Sequence, residues 1–116
     1  MSPANCSRGE VWMADFSPGR GSEQKGIRPA LVIQNDVGNI HAGTTIVAAI
    51  TTTMKKYPVT VVLDGHEGGL AQPSMVNLAQ ILTLDKSRLM RKMGGLSRAR
   101  LAEVDAALII SLGLGG

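Results

Sequence analysis

Short apolar runs separated by turn-forming residues constrain the fold of this chain more than any other feature. The runs are rich in Val, Ile, Leu and Ala, and their lengths and polar borders are typical of strands. They cover residues 9–16, 30–34, 45–51, 59–63 and 74–82. The last of them, "SMVNLAQIL", is interrupted by polar residues, and we expect it to bend near Asn77 and Gln80.

One helix is predicted, close to the C-terminus. Leu101, Val104, Leu108 and Leu112 recur at a helical spacing on one face, and Gly113 supplies a stop. Residues 83–89 predict a short helical turn, and residues 91–96 predict a last short strand or loop. Several short strands closed by one helix favour a mainly β fold, built as a small, strongly bent sheet or barrel.

The size and composition of the chain limit its class. A length of 116 residues predicts one domain spanning residues 1–116, with residues 1–7 as a flexible N-terminus. The N-terminus does not resemble a secretory signal, and apolar runs such as "IVAAI" are too short to span a bilayer. We therefore expect a soluble, cytoplasmic protein without membrane contact.

The cysteine and histidine content argues against a metal site. Cys6 is the single cysteine, which excludes an internal disulfide and a CxxC-type site. His41 and His66 lie far apart, and neither has a partner at ligand spacing. We expect no metal and no cofactor.

Basic residues are concentrated in one segment. Residues 85–100 contain six Lys or Arg residues against one Asp. This concentration predicts a basic face suited to a polyanion, although scattered, solvated charges are an equal alternative.

The segment "GSEQKGIRP" places Glu23, Lys25 and Arg28 within six residues at the start of a predicted strand. Cleavage of RNA without a metal requires a base for the 2′-OH, a cation for the developing charge and an acid for the leaving oxygen. Glu23 is a candidate base, and Arg28 is a candidate cation and proton donor. Hydroxyls at Ser22 and at residues 51–53 are candidates to hold the phosphate. An ordinary surface ion pair between Glu23 and Arg28 is the alternative.

Five segments of the chain resemble one known family. "RGEVWMADFSP", "GSEQKGIRPALVIQND", "TIVAAITT", "YPVTVVL" and "QILTLDKSRL" occur in an order and spacing similar to those of the MazF/PemK/Kid toxins. These are ribosome-independent endoribonucleases of bacterial toxin–antitoxin pairs. The resemblance extends from about residue 8 to residue 114.

The resemblance implies an SH3-like (PemK/CcdB-like) β-barrel with short helices and a C-terminal α-helix, acting as a homodimer. It implies sequence-selective, metal-independent cleavage of single-stranded mRNA to 2′,3′-cyclic phosphate and 5′-OH ends. It also implies a cognate antitoxin that wraps the dimer in a hetero-oligomer and blocks the RNA groove.

The resemblance also implies roles for individual residues. The catalytic arginine, threonine and loop acid of the family fall on Arg28, Thr51 and Glu23. We expect RNA contacts from the neighbouring polar residues, namely Ser22, Gln24, Lys25, Thr52, Thr53 and Gln80.

Two departures from the family pattern keep other readings open. Many members have an arginine where this chain has Leu82, and plasmid-type relatives have an arginine and an aspartate where it has Asn77 and Ala79. The alternatives are a non-enzymatic toxin of the same fold that inhibits DNA gyrase and an inactive relative that binds only an antitoxin. A gyrase inhibitor would not need Glu23, Arg28 and Thr51 together, whereas Leu82 keeps the inactive relative open.

Overall fold

A computed structural model describes residues 5–17, 26–54 and 58–115. Its strands are β1 (Glu10–Asp15), β2 (Ile27–Val32), β3 (Thr44–Thr51), β4 (Thr60–Leu63), β5 (Ser74–Asp85) and β6 (Leu89–Gly95). They form one sheet in the order β4-β5-β3-β2-β1-β6, and every neighbouring pair is antiparallel. The α-helices are α1 (Asp36–His41) and α2 (Arg98–Leu112). The predicted mainly β fold with a C-terminal helix is confirmed.

Side chains alternate between the two faces of the sheet along each strand. Apolar residues occur in both alternating sets, so both faces of the sheet are apolar. Val11, Leu31 and Ile50 belong to the larger core cluster, which α2 covers with Val104 and Ala107. The opposite face carries a second cluster, in which the buried residues include Trp12, Phe16, Ala30, Val32 and Val47. The sheet is therefore sandwiched between two apolar clusters.

A bulge bends β5 where the sequence predicted a bend. Ile81 pairs with Ala48, whereas Asn77 pairs with Ala49, so residues 78–80 have no partners on β3. The Asn77 side chain accepts a hydrogen bond from the Ala79 backbone N–H at 2.9 Å, which satisfies one group that the ladder leaves out. The β1–β6 ladder has two further irregularities. Such bulges increase the curvature of a sheet.

α2 begins and ends as predicted. Ser97 caps it by accepting a hydrogen bond from the Arg100 N–H, and Gly113 ends it with a φ of 68°, in the left-handed region that glycine tolerates. Within the described ranges, no helix is both long enough and apolar enough to cross a membrane.

The predicted apolar face of α2 is wrong at its C-terminal end. Leu112 is 57% exposed, although Val104 is fully buried and Leu108 packs against the larger cluster. The Ser111 hydroxyl instead faces the sheet and donates to the Leu78 carbonyl at 2.7 Å. Ser111, and not Leu112, therefore makes the contact with the sheet at this end of α2.

The predicted helical turn at residues 83–89 is also wrong in extent. β5 continues to Asp85, and only Lys86–Arg88 form a 3-10 turn before β6. Residues 83–85 pair with residues 44–46 of β3, so ladder hydrogen bonds extend the strand beyond its apolar run.

The short helix α1 was not predicted. Asn35 caps it by accepting from the Gly38 N–H at 2.8 Å. Asn39, within α1, is buried and accepts a hydrogen bond from the Thr45 hydroxyl at 2.7 Å. Tertiary polar contacts therefore stabilise a segment that has too few residues to show an apolar period.

Candidate active site

The neighbouring strands β2, β3 and β5 each have one terminus at the same end of the sheet. Ala30 of β2 pairs with Ala49 of β3, so Arg28 and Thr51 each lie two residues further towards this end. Thr51 in turn pairs with Met75, the second residue of β5. The register thus places Arg28, Thr51 and Ser74 at the same end of the sheet.

A cavity of about 170 Å³ opens between these strand ends. The cavity is large enough to hold several water molecules. Arg28 is exposed, whereas Ser74 retains only 3% of its surface. The lining residues are Arg28, Pro29, Ile50, Thr51, Thr52, Thr53 and Ser74. Among the described residues, the cavity therefore combines the Arg28 cation with several hydroxyl groups.

The hydrogen bonds of two hydroxyls determine what each can offer a ligand. The Thr51 hydroxyl oxygen accepts the Thr53 N–H at 3.1 Å, and an oxygen that accepts a bond keeps its own proton for donation. The Ser74 hydroxyl donates to the Gln72 carbonyl at 2.9 Å, which uses its only proton. Thr51 can thus donate a hydrogen bond, and Ser74 can accept one.

The structure brings together some of the residues predicted from the sequence. Arg28, Thr51, Thr52 and Thr53 all line the cavity. Gln80 does not line it and lies six residues beyond Ser74 on β5, roughly 20 Å along an extended strand. The remaining candidates lie outside the described residues, namely Ser22, Glu23, Gln24 and Lys25. The roles of all these residues remain predictions.

The segment that precedes Arg28 is held at its base. The Phe16 N–H donates to the Gly26 carbonyl at 2.9 Å, and the Gly26 N–H donates to the Ser17 hydroxyl at 3.1 Å. Arg88 donates to the Asp15 carbonyl at 3.2 Å and also to the Ser17 carbonyl. The end of β1 is thereby fixed beside the start of β2, close to the cavity.

The basic segment of residues 85–100 is only partly available to a polyanion. Lys86 is buried and donates to the Asn39 carbonyl, and Lys92 pairs with Glu10 at 2.9 Å. Arg100 forms ion pairs with three carboxylates. The expected uniform basic face is therefore broken up by internal partners, while Arg91 and Arg98 are exposed.

The clearest pKa shifts belong to groups that hold the fold together. Hydrogen bonds from Arg100 lower the pKa of Glu67, and the same pairing raises the pKa of Arg100. Burial opposes the shift at Glu10, yet bonds from Lys92 and from the Ser7 and Trp12 N–H groups lower its pKa overall. None of these groups lines the cavity.

Ser74 is a cavity residue that the sequence analysis missed. It belongs to no motif, and its position becomes meaningful only when β5 is aligned with Thr51. A hydroxyl at the first residue of a predicted strand was the only available signal. No three His, Cys, Asp or Glu residues are grouped to bind a metal ion in the part of the chain that the structure describes.

Comparison with known proteins assigns this sequence to a family. Residues 7–112 match the family model of the PemK-like, MazF-like toxins of type II toxin–antitoxin systems. The chain belongs to this family. It is 50% identical over 109 residues to the endoribonuclease MazF of Staphylococcus epidermidis. The alignment covers 92% of this chain and 91% of that protein. The predicted MazF/PemK membership is confirmed.

Two solved structures share the fold. MazF from Deinococcus radiodurans is 31% identical, with a TM-score of 0.82 over 95% of this chain and 98% of that one. A mycobacterial endoribonuclease in complex with its cognate antitoxin is 27% identical, with a TM-score of 0.82 over 96% of this chain and 98% of that one.

Proposed function

We propose that this chain is an endoribonuclease toxin that cleaves single-stranded mRNA in the cytoplasm. The observation that carries the proposal is the cavity in which Arg28 and Thr51 meet at adjacent strand ends. Support comes from the S. epidermidis relative, which is named as an endoribonuclease. One toxin domain accounts for the whole chain in this proposal.

The chemistry is a transesterification within the RNA. The 2′-oxygen attacks the neighbouring phosphorus and loses its proton to a base, while the bond from phosphorus to the 5′-oxygen breaks and that oxygen gains a proton. The products are a 2′,3′-cyclic phosphate and a 5′-OH end. Negative charge accumulates on the non-bridging phosphate oxygens, where fixed donors stabilise it most.

The cavity residues fit this charge distribution. The Arg28 guanidinium provides several N–H donors in a planar fork, which matches two phosphate oxygens. The Thr51 hydroxyl can donate a further bond. Arg28 thereby supplies the positive charge that a metal ion would otherwise provide, so we expect cleavage without a metal or cofactor. Glu23, five residues before Arg28, is our candidate for the base that accepts the 2′-OH proton.

We assign RNA binding to polar residues that the sequence predicted, some in this cavity and others outside it. Thr52 and Thr53 are exposed beside Thr51 and line the same cavity. The other proposed RNA contacts are Ser22, Gln24, Lys25 and Gln80.

We further propose that the toxin is a homodimer neutralised by a cognate antitoxin. The mycobacterial relative was solved with its antitoxin, and a D. radiodurans relative was solved as a MazE–MazF complex. Exposed apolar side chains on α1 and after the middle of α2 support burial against a second copy. They are Val37, Ile40, Ile109, Ile110, Leu112 and Leu114.

The decisive experiment is incubation of the purified protein with a long RNA of mixed sequence, with and without EDTA. We expect cuts at a short recurring sequence, 5′-OH ends, cyclic phosphate ends and the same rate in EDTA. Loss of cleavage in EDTA that magnesium restores would contradict the metal-free mechanism. An RNA left intact in every condition would contradict the endoribonuclease assignment.

A further inference from the structure

Ser74 is the most deeply buried hydroxyl residue that lines the cavity. Only 3% of its surface is exposed, and it shares the cavity with Arg28 and Thr51. It is the first residue of β5 and pairs with Leu63 of β4, while its hydroxyl bonds the Gln72 carbonyl. Its side chain is therefore held in place before any ligand arrives.

The hydrogen bond to Gln72 leaves the Ser74 oxygen able to accept a hydrogen bond but not to donate a second one. A carbonyl can only accept, so the serine proton must point towards Gln72. The oxygen then presents lone pairs to any other partner. Ser74 differs in this respect from Thr51, whose oxygen is itself an acceptor for a backbone N–H.

An RNA strand offers this acceptor one suitable group at the reacting centre. The phosphate oxygens carry no protons there, and they suit the donors of Arg28 and Thr51. The 2′-OH of the nucleotide that is cut is a hydrogen-bond donor and is the feature that distinguishes RNA from DNA. We propose that Ser74 accepts a hydrogen bond from this 2′-OH and so orients the attacking oxygen.

This inference rests on the proposed ribonuclease function and deepens it by assigning recognition of the ribose to one side chain. A rival role for Ser74 is to accept a bond from Arg28 and hold the guanidinium in place. The two roles differ measurably, because phosphate binding through Arg28 does not depend on the substituent at the 2′ position.

The test uses two oligonucleotides that carry the mapped cleavage sequence and differ only at the 2′ position of the nucleotide that is cut. One has a 2′-amino group, which donates hydrogen bonds, and the other has a 2′-fluoro group, which cannot donate. Neither has the 2′-OH that attacks, so equilibrium affinities can be measured directly, above pH 7 where the amine is neutral. The proteins are wild type, Ser74→Ala and the control Ser111→Ala.

Ser111 is a matched control because its hydroxyl also donates to a backbone carbonyl, that of Leu78, but lies outside the cavity lining. Each variant loses one serine-to-carbonyl bond, so thermal melting of both reveals any cost of that bond to folding.

We expect wild type to bind the 2′-amino oligonucleotide about 5- to 10-fold more tightly than the 2′-fluoro one, the size of one hydrogen bond. Ser74→Ala should lose this preference, and Ser111→Ala should keep it. A wild-type protein without the preference would overturn the inference, even if Ser74→Ala failed to fold. A folded Ser74→Ala protein that kept the preference would overturn it too.

Wild type that cuts ordinary RNA but shows no preference refutes this role alone, whereas wild type that cuts no RNA refutes the proposed function and this role together.

Discussion

At the scale of single residues, we propose that Arg28 and Thr51 offer the phosphate two kinds of donor from fixed strand positions. We expect Arg28→Ala to lower kcat about 100-fold or more, because a preorganised charge acts mainly on the transition state. Arg28→Lys should restore little activity, since an ammonium group lacks the planar fork. Single-turnover rates and RNA affinities measure the two effects separately. An Arg28→Ala protein that melts normally and cuts at the wild-type rate would contradict a catalytic role for Arg28 and favour an ordinary surface ion pair.

Thr51 allows the hydroxyl to be tested with little change of shape. Thr51→Val keeps the β-branched side chain but removes both the bond from the Thr53 N–H and the donor to the phosphate. We expect kcat/KM to fall about 10- to 100-fold, as for a hydrogen bond to a charged group. Thr44→Val is the control, because Thr44 is an exposed threonine at the opposite end of β3 and does not line the cavity. Equal rates for Thr51→Val and wild type would contradict this role.

The sequence predicted those cavity residues that lie in recognisable motifs and missed one whose place depends on strand pairing. Arg28 and Thr51 were found because they lie in stretches whose order and spacing resemble a family. Ser74 was missed because its significance depends on which strand lies beside β3. That neighbour is set by long-range ladder pairing, which no local pattern in residues 72–76 reveals.

At the scale of secondary-structure elements, Arg100 ties α2 to the 3-10 turn at Glu67–Gly69. Its guanidinium contacts Glu67 at 2.8 Å and Glu103 at 2.9 Å, and the Glu67 side chain is 26% exposed. We expect Arg100→Met to lower the free energy of unfolding by about 1 kcal/mol near pH 7. Arg98→Met, at an exposed first residue of α2, serves as the control.

The pH dependence of that loss follows from the carboxylate. Hydrogen bonds from Arg100 lower the pKa of Glu67 from its ordinary value of 4.5. A lowered folded-state pKa stabilises the protein above the unfolded-state value, and this stabilisation disappears as pH falls through the folded-state pKa. The difference between wild type and Arg100→Met should therefore be largest near neutral pH and shrink below about pH 4.5. Urea unfolding between pH 3 and 7 measures it, and a difference that grows in acid would contradict this cause.

Arg88 links another pair of elements, the end of β1 and the turn before β6. Its bonds to the Asp15 and Ser17 carbonyls hold the base of the segment that leads to Arg28. We expect Arg88→Met to reduce kcat/KM for RNA about 10-fold, because small displacements of a reacting group are costly. Arg91→Met removes the same charge from exposed β6 and controls for electrostatic attraction to RNA. Equal losses in the two variants would show that charge alone matters.

Elements were predicted well where local chemistry decides them. The bend of β5 was visible because Asn77 and Gln80 interrupt an apolar run, and the end of α2 was visible because Gly113 accepts a left-handed backbone. α1 was not visible, since it depends on the buried Asn39 and its partner Thr45 on the following strand. The exposure of Leu112 was also hidden, because helical spacing does not show where the sheet beneath a helix ends.

At the scale of the whole molecule, the exposed apolar residues lead us to expect a dimer. Val37 and Ile40 are 70% and 74% exposed on α1, and Ile110 and Leu114 are 57% and 69% exposed at the end of α2 and just beyond it. Light scattering after size-exclusion chromatography should give twice the chain mass at micromolar concentration. A paired serine substitution on either α1 or α2 should shift the protein towards monomer. A wild-type monomer that cleaves RNA would contradict the proposed dimer.

The closed base between β1 and β2 has a consequence for how such a protein can diversify. The Phe16–Gly26 bond joins the two ends of the intervening segment, while Arg28, Thr51 and Ser74 are held by the ladders of the sheet. Sequence changes between these two ends, outside our proposed base Glu23, should therefore leave Arg28, Thr51 and Ser74 in place. Because Ser22, Gln24 and Lys25 are proposed RNA contacts, changes among them would let related proteins acquire different target sequences around the same fixed strand ends.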